Sequence, residues 1–168
     1  MMSEEQTARL RLPLLQAGQA QKELDHNEAL ALLDLAVQAA VVAIGIDAPP
    51  SDPALGDCWI VGPDPVGLWA GHADALAGWT AGGWRFVAPR AGMAVWLMSD
   101  GLAARFDGTT WSIGAVQASG LFVNGERVVS ARGTAVANPI GGATIDIEAR
   151  NALDEILSAL RLHGLIAT

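Results

Sequence analysis

Residues 84–113 read WRFVAPRAGMAVWLMSDGLAARFDGTTWSI, and this stretch decides the fold. Short apolar and aromatic runs alternate in it with turn residues, and the Asp-Gly dipeptides at 100–101 and 107–108 favour β-hairpin turns. Trp84 and Phe86 are separated by one residue, which puts both rings on one face of a strand. The stretch therefore predicts a small antiparallel β module.

This β pattern extends from residue 57 to residue 114. The candidate strands are residues 58–61, 68–70, 84–87, 94–98, 103–106 and 110–113. The run 95–98 is continuously apolar, as expected of a central strand. Residues 70–78 are rich in Ala and Gly and predict a loop or a single helical turn.

A helix is predicted on the N-terminal side of the module, over residues 28–44. Apolar residues recur there at alternating three- and four-residue spacings, and a second apolar stripe follows beside the first. A helix with two apolar sides is buried on both, either between the module and another copy of the chain or within one core. The predicted interface residues on this helix are Leu30, Leu33, Val37 and Ile44.

Two further elements are predicted after the module. Residues 121–129 (LFVNGERVV) place Asn124-Gly125, the preferred type I′ turn, between two β-prone triplets. A second helix is predicted over residues 145–163, with Thr144 or Asp146 as its cap and Gly164 as its stop. Its apolar stripe is predicted to contact the first helix or symmetry mates through Leu153, Ile156, Leu157 and Leu160.

The predicted fold class is α+β, with a helical N-terminal segment, a central Trp-rich antiparallel β module, and a C-terminal β-hairpin and helix. Residues 1–46 form an arm and helix for oligomerisation or docking, and residues 47–56 form a Pro-rich linker. The module covers residues 57–114, and residues 115–168 serve assembly. Within the first segment, the polar residues 1–12 predict an arm that is mobile or that orders on a partner.

Composition excludes several classes of function. The net charge of −8 disfavours binding to nucleic acid and to anionic lipid. Charged residues make up only 17% of a chain that is 51% apolar, which favours burial of apolar surface against other copies, in a trimer or pentamer, or against a partner. No signal peptide or membrane span is recognisable, so synthesis in the cytoplasm is expected.

Chemistry-bearing motifs are not recognisable in this sequence. The single Cys58 excludes an intrachain disulfide, and the three histidines lack the spacing of a zinc site. The glycine pairs lack the Lys-Ser/Thr of a phosphate loop, and the serines lack a nucleophile elbow. Most aspartates of the module occupy turn contexts. We therefore expect no enzymatic activity, no catalytic residues, no cofactor and no metal.

All six tryptophans lie between residues 59 and 111. Core filling and intersubunit packing are the ordinary roles of such residues, and a sugar-stacking face is the functional alternative. The best candidates for ligand stacking flank Gly-rich segments, and two nearby polar residues are able to contact sugar hydroxyls. The predicted ligand-binding residues are therefore Trp69, His72, Asp74, Trp79 and Trp84.

Residues 14–33 (LLQAGQAQKELDHNEALALL) resemble the opening of the DUF2793 family, which is associated with phages. The resemblance continues through residues 56–62 (GDCWIVG), 67–71 (GLWAG) and 83–86 (GWRF), and it closes at residues 106–111 (FDGTTW). It covers about residues 12–113 and is most specific in the AGQAQKE and HNEAL runs.

The resemblance implies a virion component. Members occur in prophages, in tail-fibre contexts and in the gene transfer agents of alphaproteobacteria, where they resemble head-spike or fibre parts that help a particle attach to capsular polysaccharide. It therefore implies a base or adaptor of a head spike or tail fibre, partnered by capsid, tail or fibre proteins. It supplies no catalytic residues. The alternative is a free carbohydrate-binding module without a particle role.

Overall fold

A helix, several small sheets, a strand pair and a second helix follow one another along the chain, which confirms the predicted α+β class. The computed structural model describes residues 6–16, 18 and 22–168. The chain divides into two units, Met1–Ala115 and Val116–Thr168. The first five residues of the predicted arm and part of the AGQAQKE run lie outside the described residues. No described helix has the length and apolarity that crossing a membrane requires.

The first unit combines helix α1 (Lys22–Ala36) with two four-stranded sheets. Its strands are β1 (Ala40–Val41), β2 (Ala43–Ile46), β3 (Cys58–Val61), β4 (Leu76–Thr80), β5 (Gly83–Val87), β6 (Ala94–Leu97), β7 (Leu102–Phe106) and β8 (Trp111–Ile113). One sheet has the order β2-β3-β4-β5 and the other β1-β6-β7-β8. Pairing is antiparallel, as predicted, except that β1-β6 and β2-β3 are parallel.

The helix predicted over residues 28–44 is wrong in its second half. Helix α1 ends at Ala36, and residues 40–46 form β1 and β2 instead. The guanidinium of Arg9 donates hydrogen bonds to carbonyls at the end of the helix, including that of Gln38 at 2.8 Å, and so caps it. The β-branched residues that follow gain their packing by joining both sheets at once.

The apolar residues predicted to lie along one helix consequently do not all lie on α1. Leu30 is half-buried on α1 and Leu33 is exposed there, whereas Val37 follows the helix and is exposed. Ile44 lies in β2 and packs against the main core. These four residues therefore do not share one helical face.

The strand predicted over residues 68–70 is also wrong, since Gly67–Trp69 forms a single 3₁₀ turn. The segment interpreted as a loop or helical turn contributes β4, which pairs with β3 and β5. Gly78 in β4 faces Leu35 of α1, and a Cβ there would lie within 3.0 Å of three Leu35 side-chain atoms. The small residues of β4 thus permit close packing of the helix on the sheet.

Two apolar clusters hold the first unit together. The main cluster lies between α1 and the sheets and comprises Leu35, Ala39, Val41, Cys58, Ile60, Leu76, Val95, Leu97 and Ala104. The second cluster comprises Trp59, Val61, Trp69 and Ala77. Strand β3 alternates between the two clusters, which explains why its four residues are all buried.

The second unit contains a strand pair, β9 (Leu121–Val123) and β10 (Glu126–Val129), and helix α2 (Ile147–Leu162). Asn124 and Gly125 have φ values of 49° and 84°, which confirms the predicted type I′ turn. Asp146 caps α2 by accepting from the Ala149 amide at 2.9 Å. Both ends of α2 agree with the prediction to within two residues.

Candidate functional site

Four tryptophans meet on one face of the β2-β3-β4-β5 sheet. The ring centroids of Trp69 and Trp84 are 5.1 Å apart, and Trp84 lies 5.5 Å from Trp59 and 5.1 Å from Trp79. The rings cross edge to face at 60–86°, which is a favourable arrangement for aromatic quadrupoles. Three of the predicted ligand residues are therefore neighbours, and they form a small aromatic core.

Burial separates this cluster into a core and a rim. Trp69 is 0% exposed, so neither face of its ring is open to a ligand. Its Nε1 donor is buried and has no acceptor among the described residues. Trp79 and Trp84 are half-buried, so only part of each ring reaches solvent. Trp69 is a packing residue in this structure, and within this cluster the half-buried Trp79 and Trp84 form the rim that offers surface for stacking.

The two predicted polar ligand residues lie beside this cluster. The exposed imidazole of His72 stacks on Phe86, with centroids 3.7 Å apart and ring planes 3° apart. Asp74 has a left-handed backbone (φ 60°), and its carbonyl accepts a hydrogen bond from Nε1 of Trp111 at 2.9 Å. His72 thus presents one ring face to solvent, whereas Asp74 fixes the turn through its backbone.

A cavity of about 670 Å³ lies between the N-terminal arm, α1 and the β4–β5 turn, and Trp79 of the aromatic cluster is among the residues that line it. Its walls include Leu14, Leu24 and Leu55, together with the ion pair of Glu28 and Arg85. Nε of Arg85 donates to both carboxylate oxygens of Glu28 at 2.7 and 2.8 Å. This pair ties the helix to the sheet and neutralises both charges. The cavity thus has no free acid-base pair among these residues.

Sequence reasoning missed the most exposed tryptophan. Trp96 in β6 is 50% exposed, whereas its neighbours Val95 and Leu97 are buried. The other five tryptophans each contact another aromatic ring, and Trp96 has no aromatic neighbour among the described residues. Strict alternation along β6 turns Trp96 to the outer face of the β1-β6-β7-β8 sheet. The continuous apolar run concealed this alternation.

A family model described as "protein of unknown function (DUF2793)" matches residues 26–112, which is more than half of the chain. The chain belongs to this family. No curated protein matches the chain. The match confirms the resemblance seen in the sequence and covers α1 from His26 onward, strands β1 to β7 and the first two residues of β8.

The sequence runs that resemble the DUF2793 family have structural roles in this chain. In the HNEAL run, Asn27 exchanges two hydrogen bonds with the backbone of Leu15 at 2.9 and 3.0 Å, and Glu28 binds Arg85. The run GDCWIVG contains β3, and GWRF lies in β5. These runs therefore position the helix, the arm and the aromatic face.

The thiol of Cys58 lies in the main core, and its pKa is strongly shifted. Burial raises the pKa of this thiol from 9.0 to about 11. The positive charge of Arg9 lowers it by a smaller amount, and the negative charges of Asp34 and Asp57 raise it slightly. A protonated thiol is a poor nucleophile. In addition, the described residues contain no group of three His, Cys, Asp or Glu side chains that could hold a metal ion.

This shift predicts a loss of stability in alkaline solution. Between pH 9 and pH 11 the unfolded thiol is ionised and the folded thiol is not, so the folded state binds more protons and the free energy of unfolding falls as pH rises. The neutral thiol's contribution is complete below pH 9 and is lost by about pH 11. We expect a Cys58-dependent loss of roughly 2 kcal/mol across this window.

Denaturant titrations at pH 8, 9, 10 and 11 check this expectation. The wild-type chain should lose more stability than a Cys58→Ala variant, which controls for other groups that titrate in this range. Equal pH slopes in the two proteins would contradict it. Iodoacetamide at pH 8 should label Cys58 only when denaturant is added.

Proposed function

We propose that this chain is a structural and adhesion component of a phage or gene-transfer-agent particle, acting as a base or adaptor of a head spike or tail fibre. It assembles as a cyclic homo-oligomer and aids attachment to the capsular polysaccharide of a host. Family membership motivates the proposal, since the sequence resembles members found in such particles. The location is the particle, and the partners are other copies, capsid, tail or fibre proteins, and the polysaccharide.

The observation that carries the assembly part is the apolar surface of residues 116–168. The buried side chain of this unit is Leu157, while fourteen large apolar side chains are exposed. They include Phe122, Ile140 and Ile147. A unit of this size buries too little apolar area to offset the entropy of ordering its chain. Burial between copies of the chain supplies the missing area.

The rim of the aromatic cluster supports the adhesion part. Trp79, Trp84 and the exposed ring of His72 offer partly open ring faces within one compact unit. Stacking on single sugars is weak, but several linked copies raise the avidity by roughly 10²–10⁴-fold. An oligomeric particle protein thus suits attachment to a repeating polysaccharide.

Mass spectrometry of density-purified particles from the source strain tests the particle role. The protein should be present at a few to tens of copies, quantified against the major capsid protein. A ratio that matches threefold or fivefold symmetry distinguishes a fibre from a capsid vertex. Absence from the particles would overturn the proposal and favour the free carbohydrate-binding module.

The stripe on α2 gives a second prediction. The side chains of Leu153 and Ile156 are about half exposed, although both are apolar. Replacing both with Ser should raise the dissociation constant of the oligomer roughly 100-fold, because each loses apolar burial between copies. Helical content should change little.

Native mass spectrometry at micromolar concentration measures this effect, with circular dichroism as the check on folding. Glu155→Ser is the matched control, since it places Ser on the same helix at an exposed position outside the stripe. A wild-type chain that is monomeric, or a double variant that assembles normally, would contradict the assembly model.

A further inference from the structure

The outer face of the β1-β6-β7-β8 sheet has an open aromatic platform centred on Trp96. The residues directly opposite Trp96 on the neighbouring strands are Ala40 of β1 and Ala103 of β7. Ala94, two positions earlier on β6, is outward and small as well. These small neighbours leave the indole largely uncovered, and half of its surface is exposed.

Polar groups stand beside this platform on the same face. Arg105 is opposite Ala94 and is therefore one diagonal step from Trp96, within reach of a common ligand. Ser112 of β8 is directly opposite Arg105. The exposed guanidinium of Arg105 forms no ion pair and donates no side-chain hydrogen bond to a described residue.

The charge of this face differs from that of the whole chain. The net charge of the protein is −8, yet the outward positions on β6, β7 and β8 carry one cation and no carboxylate. These positions are Ala94, Trp96, Ala103, Arg105 and Ser112. Because the guanidinium of Arg105 has no acidic partner among the described residues, it favours an anionic ligand, and its planar donors suit a carboxylate.

We propose that this face binds an acidic saccharide. The indole of Trp96 stacks on the apolar face of a sugar ring, and Arg105 donates hydrogen bonds to a carboxylate of the glycan. The Ser112 hydroxyl lies opposite Arg105 and hydrogen-bonds the sugar that carries this carboxylate. This assignment rests on the proposed attachment to polysaccharide and names the class of glycan as uronate-bearing. It adds to the rim of the aromatic cluster a second binding face, on the β1-β6-β7-β8 sheet.

Binding of the full chain to an array of bacterial surface polysaccharides, with uronate-bearing and neutral members, tests the proposal. Wild-type signal should be confined to the uronate-bearing members and should fall as salt is added. Trp96→Ala should weaken binding at least about tenfold, and Trp96→Phe should retain part of it. Arg105→Gln should weaken binding to acidic members about tenfold. Arg90→Gln is the control and should bind normally, because Arg90 is exposed and lies outside the strands of this sheet.

Tryptophan fluorescence supplies a readout that a merely structural role would not change. An array member that binds should shift the emission of the wild-type chain but not that of Trp96→Phe. If the wild-type chain binds no glycan, the attachment part of the proposed function fails together with this inference. Binding that is confined to neutral glycans, or that is unaffected by Trp96→Ala, overturns this inference alone. The inference is also overturned if Trp96→Ala changes the oligomeric state but keeps its glycan affinity, because the face is then a contact between copies of the chain.

Discussion

Replacing Trp69 with alanine is expected to lower the free energy of unfolding by about 3–5 kcal/mol. The indole is 0% exposed and contacts the rings of both Trp59 and Trp84, with centroids 6.3 and 5.1 Å away. Its removal leaves a cavity beneath the turn Gly67–Trp69 and exposes the remaining rings. Urea denaturation followed by circular dichroism measures the change.

Two variants make this prediction specific. Trp69→Phe should lose less stability, since it keeps a ring in the cluster and removes the buried Nε1 donor that has no described acceptor. Trp96→Ala is the matched control and should lose less than about 1 kcal/mol, because Trp96 is half exposed and has no aromatic contact. Equal losses of unfolding free energy in Trp69→Ala and Trp96→Ala would contradict the prediction, because exposure would then not separate a core tryptophan from a surface one.

Local signals predicted the elements that local chemistry determines. The Asn124-Gly125 turn requires two positive φ values, and few other dipeptides adopt them without strain. Helix α2 has an acidic N-cap at Asp146 and a glycine, Gly164, at its end. The Leu165 amide donates to the Leu160 carbonyl at 2.9 Å, which is the bond of a Schellman stop. The residues that form these features are adjacent in sequence.

Residues 37–46 show what a local pattern does not determine. Their apolar spacing suits a helix, and the segment becomes β1 and β2 because two separate sheets offer partners far along the chain. Arg9, twenty-five residues before Asp34, ends the helix by binding carbonyls at its end. Neither the distant strands nor the arginine is visible in a window around residue 40.

The candidate ligand-binding residues likewise depend on contacts that a local pattern does not show. Neighbouring glycines single out Trp69, Trp79 and Trp84 in the sequence, and such glycines indicate a loop but not the exposure of a ring. Trp69 follows such a glycine and is nevertheless enclosed, because its 3₁₀ turn folds over the sheet. Burial alternates with a period of two along residues 94–97, and this alternation places Trp96 on the exposed side. All four residues are apolar, so the sequence does not show which two are buried.

Replacing Asp34 with alanine is expected to lower the free energy of unfolding by about 2–4 kcal/mol and to release the N-terminal arm. Its carboxylate is 3% exposed and accepts from the Thr7 hydroxyl at 2.7 Å and from the amides of Arg9 and Leu10 at 3.0 and 2.6 Å. The segment expected to be mobile or to order on a partner is therefore folded in residues 6–13, where the Thr7 amide also donates to the Leu12 carbonyl at 2.9 Å.

The arm in turn holds the end of α1, so Asp34 acts on both. Without its carboxylate, the amides of Arg9 and Leu10 lose their acceptor, and the Arg9 guanidinium is no longer fixed over the helix carbonyls. Hydrogen exchange should therefore accelerate at Arg9, Leu10 and Val37 in Asp34→Ala, beyond what the global loss of stability explains.

The stability of Asp34→Asn should lie between that of the wild-type chain and that of Asp34→Ala. The Asn side chain keeps one acceptor oxygen, but its amide group places a donor where the donors of the arm already point. Asp25→Ala, on the exposed side of the same helix, should change stability by less than about 0.5 kcal/mol. If Asp34→Ala leaves exchange in the arm unchanged, the Asp34 carboxylate does not hold the arm in place. The end of α1 is then determined by the pairing of residues 40–46 with the two sheets.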